Sequence, residues 1–185
     1  MSSTLIIIVV LVVVAITVLV IYNSIIGRKN QVEYAFGGIE VMLKKRYDLI
    51  PNLVKTVQGY ATHERELLEK ITTLRTQALK GNLSNDEKVE LNNQMSGTLG
   101  QIMVAVESYP ELKANENFLH LQSSLNEVEE QISASRRAYN AAVNDFNNSI
   151  EMFPGSVMAG MMNFKRKKGF EISNTERQNV NVNFE

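Results

Sequence analysis

The residues that could do chemistry gather in one stretch, RYDLIPNLVKTVQGYATHERELLEKI from Arg46 to Ile71, where His63-Glu64 opens the pattern H-E-x-x-H. That pattern makes a zinc-protease site when a second imidazole follows one helical turn on, so that both rings reach the metal from one face. Leu67 holds that position, the one other histidine is the distant His120, and the chain has no cysteine. The zinc reading fails on residue types alone. General acid-base work by His63 with Glu64, Glu66 and Glu69 is the next reading. Adjacent helix positions diverge by about 100°, however, and do not face each other, so the cluster reads as a solvated helix face. Arg136-Arg137 beside Tyr139-Asn140 offers either an anion site or a structural ion-pairing site. Met158, Met161 and Met162 offer either a soft binding surface or packing against the rest of the fold. There is no glycine-rich phosphate loop, and no base is arranged to activate a hydroxyl. These residue types point away from an enzyme and imply no metal or cofactor.

The elements that position these residues begin with a membrane anchor. From Leu5 to Tyr22 every residue except Thr17 is apolar, and no charge precedes Arg28. A helix of that stretch with Ile25 and Ile26 spans roughly 30 Å, the thickness of a bilayer core. A cleaved signal peptide would need a positive start and a small-residue cleavage site, and neither is present. Arg28, Lys29, Lys44, Lys45 and Arg46 follow the span, which by the positive-inside rule puts the remaining chain in the cytoplasm, with the periplasm as the alternative. The 19 Lys and Arg against 20 Asp and Glu give a net charge of −1, so the chain has no general attraction for nucleic acid. KRKK, Lys165 to Lys168, is its local basic cluster.

Three long helices are predicted after the anchor. An apolar stripe at three- and four-residue steps runs from Val32 through Phe36, Ile39, Leu43, Ile50, Leu53, Val57, Tyr60, Leu67, Ile71 and Leu74 to Ala78. It ends at Lys80-Gly81-Asn82. Ser84 or Asn85 caps a second helix closed by SYPEL, and a third runs from about Glu111 or Asn115 to Met152, before Pro154-Gly155. NVNVNFE alternates like a short strand. Pro51 interrupts the first helix, but the stripe keeps its phase across it, which predicts a kinked continuous helix; the alternative is a chain reversal there. Arg46 and Glu64 are polar residues on the stripe, the kind retained to fix register or partner choice at a cost in stability.

Several stretches together resemble the LemA family of bacterial membrane proteins. They are YNSIIGRKNQVEYAF after the span, IEVMLKKRYDLIPNLVKTVQGYATHE, VESYPELKANENFLHLQSSLNEVEEQISASRRAYNAAVNDFN and MFPGSVMAG, which cover nearly the whole chain. FGGIE, Phe36 to Glu40, departs from the family pattern, which would place a bulkier pair such as Trp-Ser there. The resemblance implies a single-pass protein of the bacterial inner membrane with a helical-bundle domain and no established enzymatic activity. It assigns no catalytic role to the motif positions Arg46, Asp48, Pro51, His63, Glu64, Tyr109, Pro110, Arg136, Tyr139 and Asn140.

The expected architecture is all-α: an N-terminal transmembrane helix, then an antiparallel bundle of three long helices, or four if the chain reverses at Pro51. Residues 1–28 form the anchor, 29–153 the bundle, and 154–185 an irregular tail with the basic cluster and the short strand. A second helix of about 24 residues running back from Gly81 reaches only to about residue 57 of the first. That leaves Val32, Phe36, Ile39, Leu43, Ile50 and Leu53 uncovered, at a cost of about 1.5–3 kcal/mol each. A second, parallel copy is the simplest cover. The expected function is thus a self-associating scaffold whose structural and assembly residues are Arg46, Glu64, Phe36, Leu43, Pro51, Arg136, Tyr139 and Asn140. Its expected partners are membrane lipid, further copies and other membrane proteins; the alternative is an accessory subunit of a membrane enzyme such as a protease.

Overall fold

The computed structural model describes residues 3–61, 63–81 and 83–170, and every regular element among them is a helix. In order these are α1 (Ser3–Gln58), α2 (Arg65–Ala78), α3 (Asn85–Val106), α4 (Pro110–Lys113), α5 (Glu116–Glu151) and α6 (Gly155–Met162). The fold is all-α, as the sequence predicts. The NVNVNFE segment lies outside the described residues. The apolar run forms the start of α1, and no part of its most apolar 18-residue stretch is buried within the chain. A helix with an apolar surface on every side is long enough and apolar enough to cross a membrane.

Pro51 lies inside α1, which continues seven residues beyond it to Gln58, so the chain does not reverse there. The reversal comes later. The stripe from Val32 to Ala78 is two helices rather than one, because α1 stops at Gln58 and α2 starts at Arg65. The amides of Tyr60 and Ala61 both close on the Val57 carbonyl, at 3.0 and 2.8 Å, and satisfy the end of α1. The stop and start signals are ordinary ones: Lys55 in the last turn of α1, Gly59 just past it, and Glu66 in the first turn of α2. Periodicity hid them, because the six intervening residues include apolar Tyr60 and Ala61 and leave the rhythm nearly in phase.

The chain forms two compact units, one made of residues up to Ile39 with Ala134–Phe170 and the other containing Glu40–Ser133. In the second, the bundle unit, side-chain contacts fix the direction of each helix. Arg75 of α2 donates to the carbonyl of Tyr47, so α2 runs back along α1. Lys88 of α3 pairs with Glu40, and Asn92 and Ser96 meet Arg46, so α3 runs the same way as α1. Asn115 meets Tyr60 and Glu129 meets Arg46, so α5 returns. This is the up-down-up-down arrangement of a four-helix bundle. Its core is Leu43, Tyr47, Ile50, Leu53 and Val57 of α1, Leu68, Ile71 and Leu74 of α2, Met95, Leu99, Ile102 and Val106 of α3, with Phe118, Leu121, Leu125, Val128 and Ile132 of α5.

In the anchor unit, Ile25, Val32, Phe36 and Ile39 of α1 are buried with Tyr139, Val143, Phe146 and Ile150 of α5. The stripe expected to be bare is therefore covered by the chain itself: Phe36 is 9% exposed and Leu43 5%. The extra reversal at 59–64 is the reason, since it brings α3 and α5 beside the part of α1 that a single long first helix would leave alone. The tail expected to be irregular contains α6. Asn163 ends that helix in a left-handed conformation (φ 55°), and the Phe164 amide bonds back to the Ala159 carbonyl at 3.0 Å.

Ser84 caps α3: its hydroxyl accepts from the Glu87 amide while the Glu87 carboxylate accepts from the Ser84 amide. The bonds from Ser84 hold the Glu87 carboxyl below its ordinary value. A carboxylate so depressed adds stability above its unfolded value and loses it as pH falls through the folded one. Ser84→Ala should therefore lower the unfolding free energy of the detergent-solubilised chain by about 1 kcal/mol at neutral pH. In chemical denaturation followed by circular dichroism, the gap should narrow as pH drops below about 4.5.

Candidate functional site

Arg46 has no exposed surface, and each of its terminal nitrogens is engaged. Nη1 donates to Glu129 Oε2 at 2.7 Å and to Ser96 Oγ at 2.9 Å, while Nη2 donates to Asn92 Oδ1 and to the Asn92 carbonyl. Ser96 Oγ also lies 3.4 Å from Glu129 Oε1, closing a small network between α1, α3 and α5. Arg46 Nε and Asn92 Nδ2 are buried without a partner among the described residues. A cation out of water is tolerated only when paired and hydrogen-bonded, so this node admits one axial register of the three helices. The neighbouring Tyr47 is buried too; burial raises its phenol pKa, and the positive charge of Arg46 opposes that shift. Enclosed on all sides, the guanidinium holds helices and meets no soluble anion.

The loops at one end of the bundle unit are tied by two further contacts. Tyr109 Oη donates to Glu64 Oε1 at 3.3 Å, and Asn115 Nδ2 donates to Tyr60 Oη at 3.1 Å. Glu64 thus sits in the turn before α2, and not on a helix seam as its spacing suggests. It joins two turns of the same chain. His63 and His120 are exposed, and among the described residues no group of three or more His, Cys, Asp or Glu is placed to hold a metal ion.

In the anchor unit, α5 grips the extended segment after α6 with two asparagines seven residues apart. Asn147 accepts from the Lys167 amide and donates to its carbonyl, both at 2.9 Å. Asn140 does the same for Phe170, at 2.7 and 3.0 Å. Each carboxamide thereby acts as a one-residue strand partner for backbone that has no ladder of its own. Tyr139 Oη adds a bond to the Lys168 carbonyl at 3.3 Å. The Phe170 ring meets Tyr139 edge-on at 5.2 Å, stacks on Phe36 at 6.3 Å and lies 5.5 Å from the Arg136 guanidinium carbon. The Arg136–Asn140 group, open in the sequence to an anion reading, receives the chain's own tail.

The structure thus brings Phe36, Arg136, Tyr139 and Asn140 together and gives Arg46 a node of its own. Sequence reasoning missed Asn92, Ser96, Glu129 and Asn147. The available signals were Asn92 and Ser96 one turn apart in a helix otherwise apolar on that face, and the heptad spacing of Asn140 and Asn147.

Fold and sites define a helical bundle joined to an apolar N-terminal helix of membrane-spanning length. The family model described as the LemA family matches residues 35–184, and the chain belongs to that family. It is 27% identical over 174 residues to Protein LemA of Metamycoplasma hominis, covering 90% of this chain and 80% of that one. It is 28% identical over 180 residues to Magnetosome protein MamQ 2 of Paramagnetospirillum magneticum and 24% identical over 179 to Magnetosome protein MamQ of Magnetospirillum gryphiswaldense. Those matches cover 84% and 83% of this chain but only 66% of each MamQ chain.

Two predictions follow from these networks. Glu129 is half exposed and can rehydrate, whereas Arg46 cannot. Glu129→Met strands a buried cation and should cost about 3 kcal/mol, the low end for a broken buried pair, while Arg46→Met should cost less. Thermal unfolding of both variants checks the order. At alkaline pH, the Tyr109 hydroxyl ionises above its ordinary value of about 10, because of burial, the Glu64 charge and the bond to Glu64. Its stabilising effect is present below that value and is lost as pH rises through the folded one. The melting temperature of Tyr109→Phe should therefore fall less steeply above pH 10 than that of the unmutated chain.

Proposed function

We propose that this protein is a membrane-anchored scaffold of the bacterial inner membrane. The Leu5–Tyr22 stretch anchors it, and the bundle stands on the cytoplasmic side to gather other membrane proteins or further copies. The observation that carries this reading is where the polar side chains go. Arg46, Asn92, Ser96, Tyr109, Asn140 and Asn147 are all engaged in holding helices, turns or the tail of the same chain. Such a molecule presents a fixed surface rather than a reactive centre. Kinship with proteins named for the magnetosome also favours it. Basic residues after the span support the cytoplasmic placement.

Self-association through Phe36 and Leu43 loses its rationale, because both are buried within the chain; contact between copies falls to the span or the outer faces of the bundle. The test is crosslinking in living cells followed by purification in mild detergent. Multiple copies in one particle, or several membrane proteins captured together, support the scaffold. One enzyme co-purifying at fixed stoichiometry would instead make the protein an accessory subunit. A monomer that captures nothing would overturn the proposal. Protease added to intact spheroplasts should leave the Leu79–Gly81 loop uncut, and cleavage there would place the bundle outside.

A further inference from the structure

The segment MFPGSVMAGMMNF, Met152 to Phe164, contains no charged residue, yet several of its large side chains face outward. Phe153 is 83% exposed, Met161 79%, Met152 66% and Val157 58%. Single exposed apolar residues need no explanation, but a run of this kind marks a contact surface. Its position identifies the occupant. Gly155 is buried where a Cβ would run into the Ser149 carbonyl and lie 3.8 Å from Ile25 Cδ1, so the chain turns hard against α1 just beyond the apolar run. Val20 and Ile21, near the end of that run, line one open cleft of about 500 Å³ with Phe153 and Pro154, and Arg28 and Ser24 line its polar part. By Phe164 the chain has returned to the Phe146 ring, 6.4 Å away, and by Lys167 to Asn147. The α5–α6 corner thus dips to the level of the end of the membrane-spanning run and comes back.

Charge points the same way. The described anchor unit, residues 3–39 and 134–170, holds eight Lys and Arg against three Asp and Glu, a net of +5. The bundle unit, 40–133, holds ten against fourteen, a net of −4. Within the basic cluster Arg166 pairs with Glu151 at 3.0 Å and Lys167 with Glu33 at 3.8 Å, while Lys165 and Lys168 are exposed. An apolar edge continuous with a membrane span and rimmed by lysines matches the boundary between acyl chains and anionic headgroups.

We infer that the α5–α6 corner is a second membrane contact, with Phe153, Val157 and Met161 inserted among the upper acyl chains and Lys165 and Lys168 among anionic headgroups. It goes beyond the scaffold reading and relies only on the Leu5–Tyr22 stretch lying in lipid.

The chain has no tryptophan, so a single introduced one reports its own surroundings. Full-length Phe153→Trp and Met161→Trp are reconstituted into vesicles of phosphatidylcholine and phosphatidylglycerol brominated on the upper acyl-chain carbons. Both should lose at least about half of their emission relative to unbrominated vesicles, as expected of residues within reach of the acyl chains. Val104→Trp, on an exposed position of the bundle unit, should lose little. Leu11→Trp reports the span separately. Quenching of Leu11→Trp without quenching of either corner probe overturns the inference and leaves the anchor standing, including the case where a protein partner shields the corner from aqueous acrylamide. Failure of Leu11→Trp itself overturns the anchor. Lys165→Gln with Lys168→Gln should reduce quenching at Phe153→Trp in vesicles containing phosphatidylglycerol and leave Leu11→Trp unchanged. Equal quenching with and without those lysines would remove the headgroup part of the inference. Two corner probes at exposed positions, each checked by circular dichroism, guard against misfolding of either one.

Discussion

A guanidinium with no exposed surface constrains the bundle unit more than any other group. Arg46 can stay charged in the interior only if donors and acceptors surround it. Here they come from two turns of α3 and from the middle of α5. Apolar stripes alone tolerate sliding, since Leu and Ile positions repeat along every helix of this bundle. A point charge does not. Sliding α3 by one turn would shift Asn92 and Ser96 by about 5 Å along Arg46 and break their present bonds to it, leaving Glu129 of α5 as its partner. The node thereby converts a set of interchangeable apolar faces into one arrangement, and it requires that α3 run alongside α1, which in turn requires the reversal at 59–64.

The anchor unit solves a different problem. After α6 the backbone runs extended beside α5, where it has neither helix nor sheet to satisfy its amides and carbonyls. Asn140 and Asn147 supply both partners at two points, and the Phe170, Tyr139 and Phe36 rings close over one of them. The segment between the clamps carries the basic cluster, so holding the backbone also fixes where Lys165 and Lys168 emerge.

Much of this was legible in the residues. The apolar run, the start and end of α5, the Ser84 cap and the passage of α1 through Pro51 follow from composition and local stop signals. Arg46 was visible as a polar intruder on an apolar stripe. Its partners were not: Asn92 and Ser96 are ordinary helix residues until a third helix is placed beside them, and Glu129 resembles any surface glutamate. The turn at 59–64 was hidden for another reason. Periodicity measures phase and not continuity, and a short break that leaves the phase intact looks like helix. Missing that turn removed one chain reversal, which left half of α1 without cover and made a second copy seem necessary.

A distance across that turn tests the account most directly. The absence of cysteine makes labelling clean: Lys45→Cys and Thr76→Cys place spin labels at exposed positions of α1 and α2 in the full-length chain. Packed antiparallel helices lie 8–10 Å apart, so dipolar spectroscopy should return a narrow distribution below about 25 Å once label length is added. A continuous helix would separate the two positions by about 45 Å. A distribution centred there would contradict the fold-back, and with it the enclosure of Arg46.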